Sequence, residues 1–380
     1  SEYPPSEYPP SDYESNQEND YYNYPPTENP DSVDIVVPID FDTIQEGIDA
    51  ANEGDVIKVL PGTYIEQITI NKTLTIIGSG AKSTIIEAPL PLANLERNII
   101  NLPYIVNIDN QAQVTIKGFT IKGIADTNCD TLLPITDRLL GISVFGGATL
   151  KLDFAVIKDC TFRSVFVGTL LVADQFGHST ITNTVITDFQ NTGVFAVGSD
   201  TTLTMSHNKV LGSASDVDVP VGIFFSLAKG TITHNEVSGN ICNIPGPIPF
   251  TCGGDWINQV QAFGIAATLA GEGSVISKNY VFNNDIGIGI FEASGCCVID
   301  RNKLSDNEFF GIAIADGEHT VSNTKIFGGD VGVLAAAIFD NTTATLDRVK
   351  IFDAEIPVQA LSTGNLTAAV NVLSPSIFLP

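Results

Sequence analysis

Apolar and polar residues alternate along most of this chain in short runs, and from about residue 150 the runs repeat with a fixed signature. An apolar residue, two spacers, a polar residue, one spacer and an apolar residue recur as Ile181/Thr184/Ile186, Met205/Asn208/Val210, Ile232/Asn235/Val237, Ile276/Asn279/Val281, Ile299/Asn302/Leu304 and Val321/Thr324/Ile326. Successive polar markers are 24, 27, 44, 23 and 22 residues apart. A period in the low twenties, built from segments that alternate every second residue, is one three-strand coil of a parallel β-helix. The long step holds a loop insertion at about 240–260. After each marker a further segment usually opens on glycine: Gly193, Gly222, Gly264, Gly287, Gly311 and Gly332. The pattern predicts an all-β chain, a right-handed single-stranded parallel β-helix with three strands per coil. At about 4.8 Å per coil the rod is on the order of 60 Å long.

Asparagine at four markers, Asn208, Asn235, Asn279 and Asn302, predicts an inward-facing ladder. Its side-chain amides would satisfy backbone groups at a tight turn. The competing assignment is surface turn-forming asparagine.

Three units are expected: an extended tail over 1–33, a cap strand and helix over 34–59, and the coils over 60–380. The tail holds eight acidic residues, no basic ones, a repeated Glu-Tyr-Pro-Pro unit, and six of the chain's nine tyrosines: Tyr3, Tyr8, Tyr13, Tyr21, Tyr22 and Tyr24. It has too few aliphatic side chains for a core of its own, and its proline pairs favour extended polyproline conformation. Concentrated tyrosine suggests docking, and a solvated linker is the plainer alternative. The cap follows as the strand VDIVVPI and an amphipathic helix from about Thr43 to Asn52. Asp42 with Gln45 is expected to form its capping box, and Ile44 with Ile48 to cover the first coil.

From Phe41 to Gly80 the chain carries T-I-Q-x-x-I-x-x-A, G-D-x-I-x-V, P-G-T-Y-x-E and L-T-I-x-G. This run, about a tenth of the chain, resembles the N-terminal cap and first coils of pectin-lyase-like β-helix proteins, including pectinesterases. In those enzymes, the resemblance implies, the Gly-led sheet displays the ionisable groups that act on a uronate. Ester hydrolysis, glycoside hydrolysis and β-elimination each need a positioned acid, base or cation. Here the outward positions of that sheet run Phe195, Phe224, Ala266, Gly289, Ala313 and Leu334, none of them charged. The signatures Q-D-T, D-F-I-F-G, N-T-D, G-D-D and D-P-H do not occur. The scaffold is expected without catalytic residues and without a cofactor.

Composition narrows the partners. With 18 basic against 44 acidic residues the formal charge is -26, which repels nucleic acid and anionic membrane surfaces, and no apolar run is long enough to span a bilayer. Just after the markers stand Lys209, Lys303, Lys325 and Lys350, with Glu236 and Tyr280 between them. In so acidic a chain the file invites an anionic partner, either the tail of another copy or an acidic glycan, unless it is simply solvated. His207 and His234 form a metal pair only if a third ligand such as Glu236 turns toward them. Asp216 and Asp218 are too few for a calcium loop.

Cys242 and Cys252 suit a bridge within the insertion, which also holds the single tryptophan, Trp256. The neighbours Cys296 and Cys297 are expected to stay ordinary strand residues, because bridging adjacent residues is strained. The chain opens at Ser1 without an initiator Met, as a mature exported product would, and sequons stand at Asn71, Asn341 and Asn365. These features predict a secreted or cell-surface structural protein. It would assemble with its own copies into a filament or layer through its ends, its tail and an interface of Phe195, Phe224, Leu334 and Trp256. The alternative is a carbohydrate-active or carbohydrate-binding β-helix.

Overall fold

In the computed structural model, strands from successive coils stack in register to form three long sheets. The structure describes residues 33–92, 103–124, 139–159, 161–167, 176–215, 218–245, 251–255, 259–291, 296–373 and 376–379. Sheet I has 13 strands, from Ile35–Val37 to Ala368–Leu373; sheet II has 12, from Gly62–Ile65 to Ile377–Leu379; sheet III has 11, from Ile68–Ile70 to Ile356–Ser362. Every pairing between coils is parallel, for example Met205↔Ile232 in sheet I, Val210↔Val237 in sheet II and Ile223↔Ile265 in sheet III. The fold is a right-handed parallel β-helix with a single α-helix among the described residues. No described helix is long and apolar enough to cross a membrane.

The core is one file of mainly aliphatic side chains running from Ile35 to Ala354, with inward positions such as Ile232, Ile276, Ile299 and Val321 stacked coil upon coil. Parallel stacking places identical positions above one another, so a β-branched residue meets its own kind and fills the same space on each coil. Gly222 shows why sheet III opens on glycine. A Cβ there would come within 2.6 Å of the Gly264 carbonyl and 2.7 Å of Val237 Cγ1.

Between sheets I and II the chain turns through one residue in the left-handed region followed by the polar marker. The turning residues include His207, His234, Lys278, Arg301 and Arg348, with φ between 53 and 58°. A left-handed residue reverses the side-chain direction within two positions, so the marker is buried while its two neighbours project outward.

At the N-terminal end the helix Ile44–Ala50 lies over the first coil with Ile44 and Ile48 buried. The capping box is one residue later than the sequence indicates: Thr43 caps Glu46 N, and the Glu46 carboxylate reaches back to Thr43 N. Threonine wins because the free amides of Ile44 and Gln45 are taken by Glu66 at 2.9 Å each, which fixes where the first turn begins. Val372, in register with the fully buried Leu346, is 45% exposed, and strands 356–362, 368–373 and 377–379 each have one edge without a partner among the described residues.

The apolar stripe outside sheet III is not exposed. Leu334 and Ala313 are 0% exposed and belong to a second apolar cluster with Ile286 and Phe310 on the outer side of the sheet. Phe195 and Phe224 are half-buried in a stack with Phe166, at centroid spacings of 5.5 and 5.0 Å. Strand alternation tells which way a side chain points but not what lies over it, and these outward positions are covered.

Candidate functional site

The marker asparagines are buried and joined. Asn208 Nδ2 donates to Asn235 Oδ1 at 2.9 Å, Asn235 Nδ2 to Asn279 Oδ1 at 3.1 Å, and Asn279 Nδ2 to Asn302 Oδ1 at 3.1 Å. Each Oδ1 also accepts the main-chain N–H of the marker one coil earlier, as Asn235 Oδ1 does from Asn208 N at 3.1 Å. Thr184 N and Thr324 Oγ1 end the series. A second ladder, Asn240–Asn284–Asn307, runs at the turn between sheets II and III. Its signal is in the sequence: each member stands five residues after a marker, at 235, 279 and 302.

These ladders set the backbone so that the residues on either side of each marker face solvent. On successive coils the pairs are His207/Lys209, His234/Glu236, Lys278/Tyr280, Arg301/Lys303, Asn323/Lys325 and Arg348/Lys350. Two residues beyond the second member, still outward on sheet II, come Leu211, Ser238, Phe282, Ser305, Phe327 and Phe352. The rings of Phe327 and Phe352 stack at 4.9 Å, those of Tyr280 and Phe282 at 4.4 Å, and Lys303 Nζ lies 4.4 Å above the Tyr280 ring.

The result is a ridge of cations with a column of half-buried aromatic rings beside it. The ridge carries Lys209, Lys278, Arg301, Lys303, Lys325, Arg348 and Lys350, with Glu236, Asp300 and Asp347 beside them. Lys209 pairs with Glu236 at 3.5 Å, Arg301 with Asp300 at 2.9 Å, and Arg348 with Asp347 at 2.7 Å. Hydrogen bonds from Asn323 and Ser322, with the Arg301 charge, hold the Asp300 carboxyl below the usual carboxylate range against its partial burial. The lysine file was legible from the repeat. The aromatic column and the arginines were not, because they become neighbours only once the coils are stacked.

His207 and His234 stack face to face at 5.1 Å. Partial burial, then the Lys278 and His207 charges, push the His234 ring below the ordinary histidine range. Glu236 is turned to Lys209 rather than toward the two rings. No group of three metal-ligating side chains occurs among the described residues.

The remaining sites predicted from sequence fall elsewhere. Cys242 and Cys252 are joined by a disulfide at the root of the insertion. Cys296 and Cys297 are also joined to each other, against expectation. Strand 297–300 begins only at Cys297, so Cys296 escapes strand alternation and both side chains turn to the same buried side. Beneath the Cys242 loop, Asp285 is 0% exposed. Its Oδ2 accepts from Cys242 N at 3.1 Å and Ala262 N at 2.8 Å, and burial pushes its carboxyl up to about 6. Asp218 is held by Asn191 at 3.1 Å. Asn71, Asn341 and Asn365 are exposed. Asp216, Trp256 and the tail tyrosines lie outside the described residues. Outside sheet III, Arg163 lies over the Phe195 ring at 4.2 Å; it escapes the repeat because its coil lacks the leading glycine.

A stacked β-helix with two turn ladders defines a class, and the comparisons agree. Residues 140–349 match the family described as right handed beta helix region, and the chain belongs to that family. Among solved structures it is similar to the A-module of mannuronan C-5 epimerase AlgE6 from Azotobacter vinelandii. That match has 16% identity, a TM-score of 0.52, and covers 89% of this chain and 94% of the other. It is also similar to XylC in complex with xylose, at 10% identity and a TM-score of 0.52, covering 86% and 85%. At these identities the likeness is one of fold. No curated protein matches the sequence.

Proposed function

We propose that this protein is a secreted or cell-surface β-helix that binds a linear acidic polysaccharide along the ridge between sheets I and II, without cleaving it. The observation that carries this reading is the repetition of cations with aromatic neighbours on coil after coil of a chain whose net charge is -26. Parallel stacking repeats each position about every 4.8 Å, so a polymer laid along the rod meets a cation at nearly each step. The rings of Phe327 and Phe352 offer flat apolar surfaces against which sugar rings can pack. Both fold relatives are named for carbohydrates, mannuronan and xylose, which is consistent with a glycan partner.

Polyuronate is therefore expected to bind with affinity that falls steeply with salt, whereas neutral dextran binds weakly or not at all. Each exposed lysine–carboxylate pair contributes about 0.2–1 kcal/mol, so replacing Lys303, Lys325 and Lys350 together by alanine should weaken polyuronate binding about tenfold. Affinity electrophoresis and calorimetry across a salt series would measure both. Equal binding of charged and neutral glycans would overturn the reading, and release of reducing ends or unsaturated sugars would overturn its non-catalytic part.

Exposed apolar residues on the last described strands favour a second reading, self-association. Val372, Leu373, Ile377 and Leu379 are 41–48% exposed beside unpaired strand edges, a surface that another copy could cover. The helix Ile44–Ala50 covers the first coil, so stacking through the last described strands gives a closed two-fold pair rather than the filament expected from sequence. Ultracentrifugation should show a dimer that Val372→Lys converts to monomer. Long filaments by electron microscopy would contradict this account.

A further inference from the structure

We propose that the acidic Pro/Tyr-rich segment of residues 1–32 docks on the cation and aromatic ridge of its own chain and competes there with polysaccharide. The proposal rests on the binding face assigned above and concerns its regulation. Its chemistry is read from both partners. The ridge presents Lys278, Lys303 and Lys350 with the rings of Tyr280, Phe327 and Phe352. The segment presents eight carboxylates and no cation, interleaved with proline pairs and tyrosines. Extended Pro-rich segments bind surfaces lined by aromatic rings because their backbone is already ordered, and carboxylates interleaved with the prolines would reach the lysines.

Spacing and reach are compatible. Glu2, Glu7 and Asp12 recur every five residues, about 16 Å in polyproline conformation, so two successive ones match cations three coils apart, about 14 Å. The strand Ile35–Val37, next to which the segment joins the rod, is first in sheet I, and the ridge runs beside the seventh to twelfth strands. That is about 29 to 53 Å along the axis, well within the roughly 99 Å that 32 extended residues can cover. A segment tethered at this distance acts at a high effective concentration, so individually weak ion pairs suffice to hold it.

The test uses the full chain at low ionic strength. Chymotrypsin should cut after Tyr13, Tyr21 and Tyr22 slowly in the native sequence and about tenfold faster when Lys303→Glu and Lys350→Glu are combined. Lys151→Glu, an exposed charge reversal on sheet I, should leave the rate unchanged. A second variant, Glu2→Gln/Glu7→Gln/Asp12→Asn, leaves the coils untouched; it should speed cleavage and tighten polyuronate binding several-fold. Equal cleavage rates in the native chain and both variants would overturn the proposal. Protection that grows with protein concentration would overturn its assignment to the same chain. If polyuronate fails to bind while lysine reversal still speeds cleavage, the docking stands and the polysaccharide reading falls. If polyuronate binds with equal affinity to the native chain and the Gln/Asn variant, the docking falls and the polysaccharide reading survives.

Discussion

Replacing Asn235 by alanine should cost about 3–5 kcal/mol. The substitution removes the acceptor of Asn208 N and Asn208 Nδ2, and the donor to Met205 O and Asn279 Oδ1, all in buried surroundings. A buried polar group left without a partner costs about 1–3 kcal/mol; Asn208 N loses its acceptor, while Asn208 Nδ2 retains Ile181 O and Asn279 Oδ1 retains Asn235 N. Water cannot replace the amide, because Asn235 is 2% exposed and lies between two neighbours that are equally enclosed. Asn235→Thr should recover about half of the loss, since a threonine hydroxyl already serves as acceptor where the ladder ends, from Asn302 N to Thr324 Oγ1 at 3.3 Å. Denaturant titration of the three proteins checks the order native, threonine, alanine. Equal stability of alanine and native protein would mean that the ladder contributes nothing net. Because each coil touches only its neighbours, the loss should be felt first as local opening around residues 205–240, which hydrogen exchange would register before global unfolding.

The second large effect is a pH dependence centred on Asp285. Its carboxyl is raised from 3.8 to about 6 in the folded protein, with burial the main cause and Glu308 adding to it against the two main-chain hydrogen bonds. A raised carboxylate means that the folded state keeps a proton which the unfolded state has already released between pH 4 and 6. The unfolded state binds fewer protons in that window, so stability contributed by this group is fully present below about pH 4 and is lost as pH rises through 6. A gap of roughly two units corresponds to about 3 kcal/mol. Asp285→Asn keeps an acceptor for Cys242 N and Ala262 N without the charge. The variant should therefore lose this slope and exceed the native protein in stability at pH 7 by about 1–3 kcal/mol. Denaturation at pH 4 and pH 7 of both proteins isolates the difference. Parallel pH profiles would show that Asp285 is not the group responsible.

How far each site could be read from sequence follows from the distance over which its determinants act. The markers Asn208, Asn235, Asn279 and Asn302 recur at coil length and alternate with apolar residues, and both features are local. The lysine file is likewise a property of one offset from the marker. Arg301 and Arg348 stand at the neighbouring offset, which varies in type from coil to coil, with His207, His234, Lys278 and Asn323 as the other members. Only their shared left-handed backbone shows that they form one column. Asp285 looks like any loop carboxylate until the insertion folds back and two of its main-chain amides land on it.

The chain by itself determined the period, the three-sheet coil, the N-terminal helix and the acid-rich segment that precedes it. These arise from alternation, turn chemistry and capping, which operate within about two dozen residues. Only the stacked structure decided which outward positions are open. The outer face of sheet III, apolar in sequence, is covered at Leu334 and Ala313. The ridge beside sheet II, scattered across about 140 residues of chain, becomes one surface of cations and aromatic rings. Burial and charge depend on neighbours one coil away in space, and no local pattern of residues carries that information.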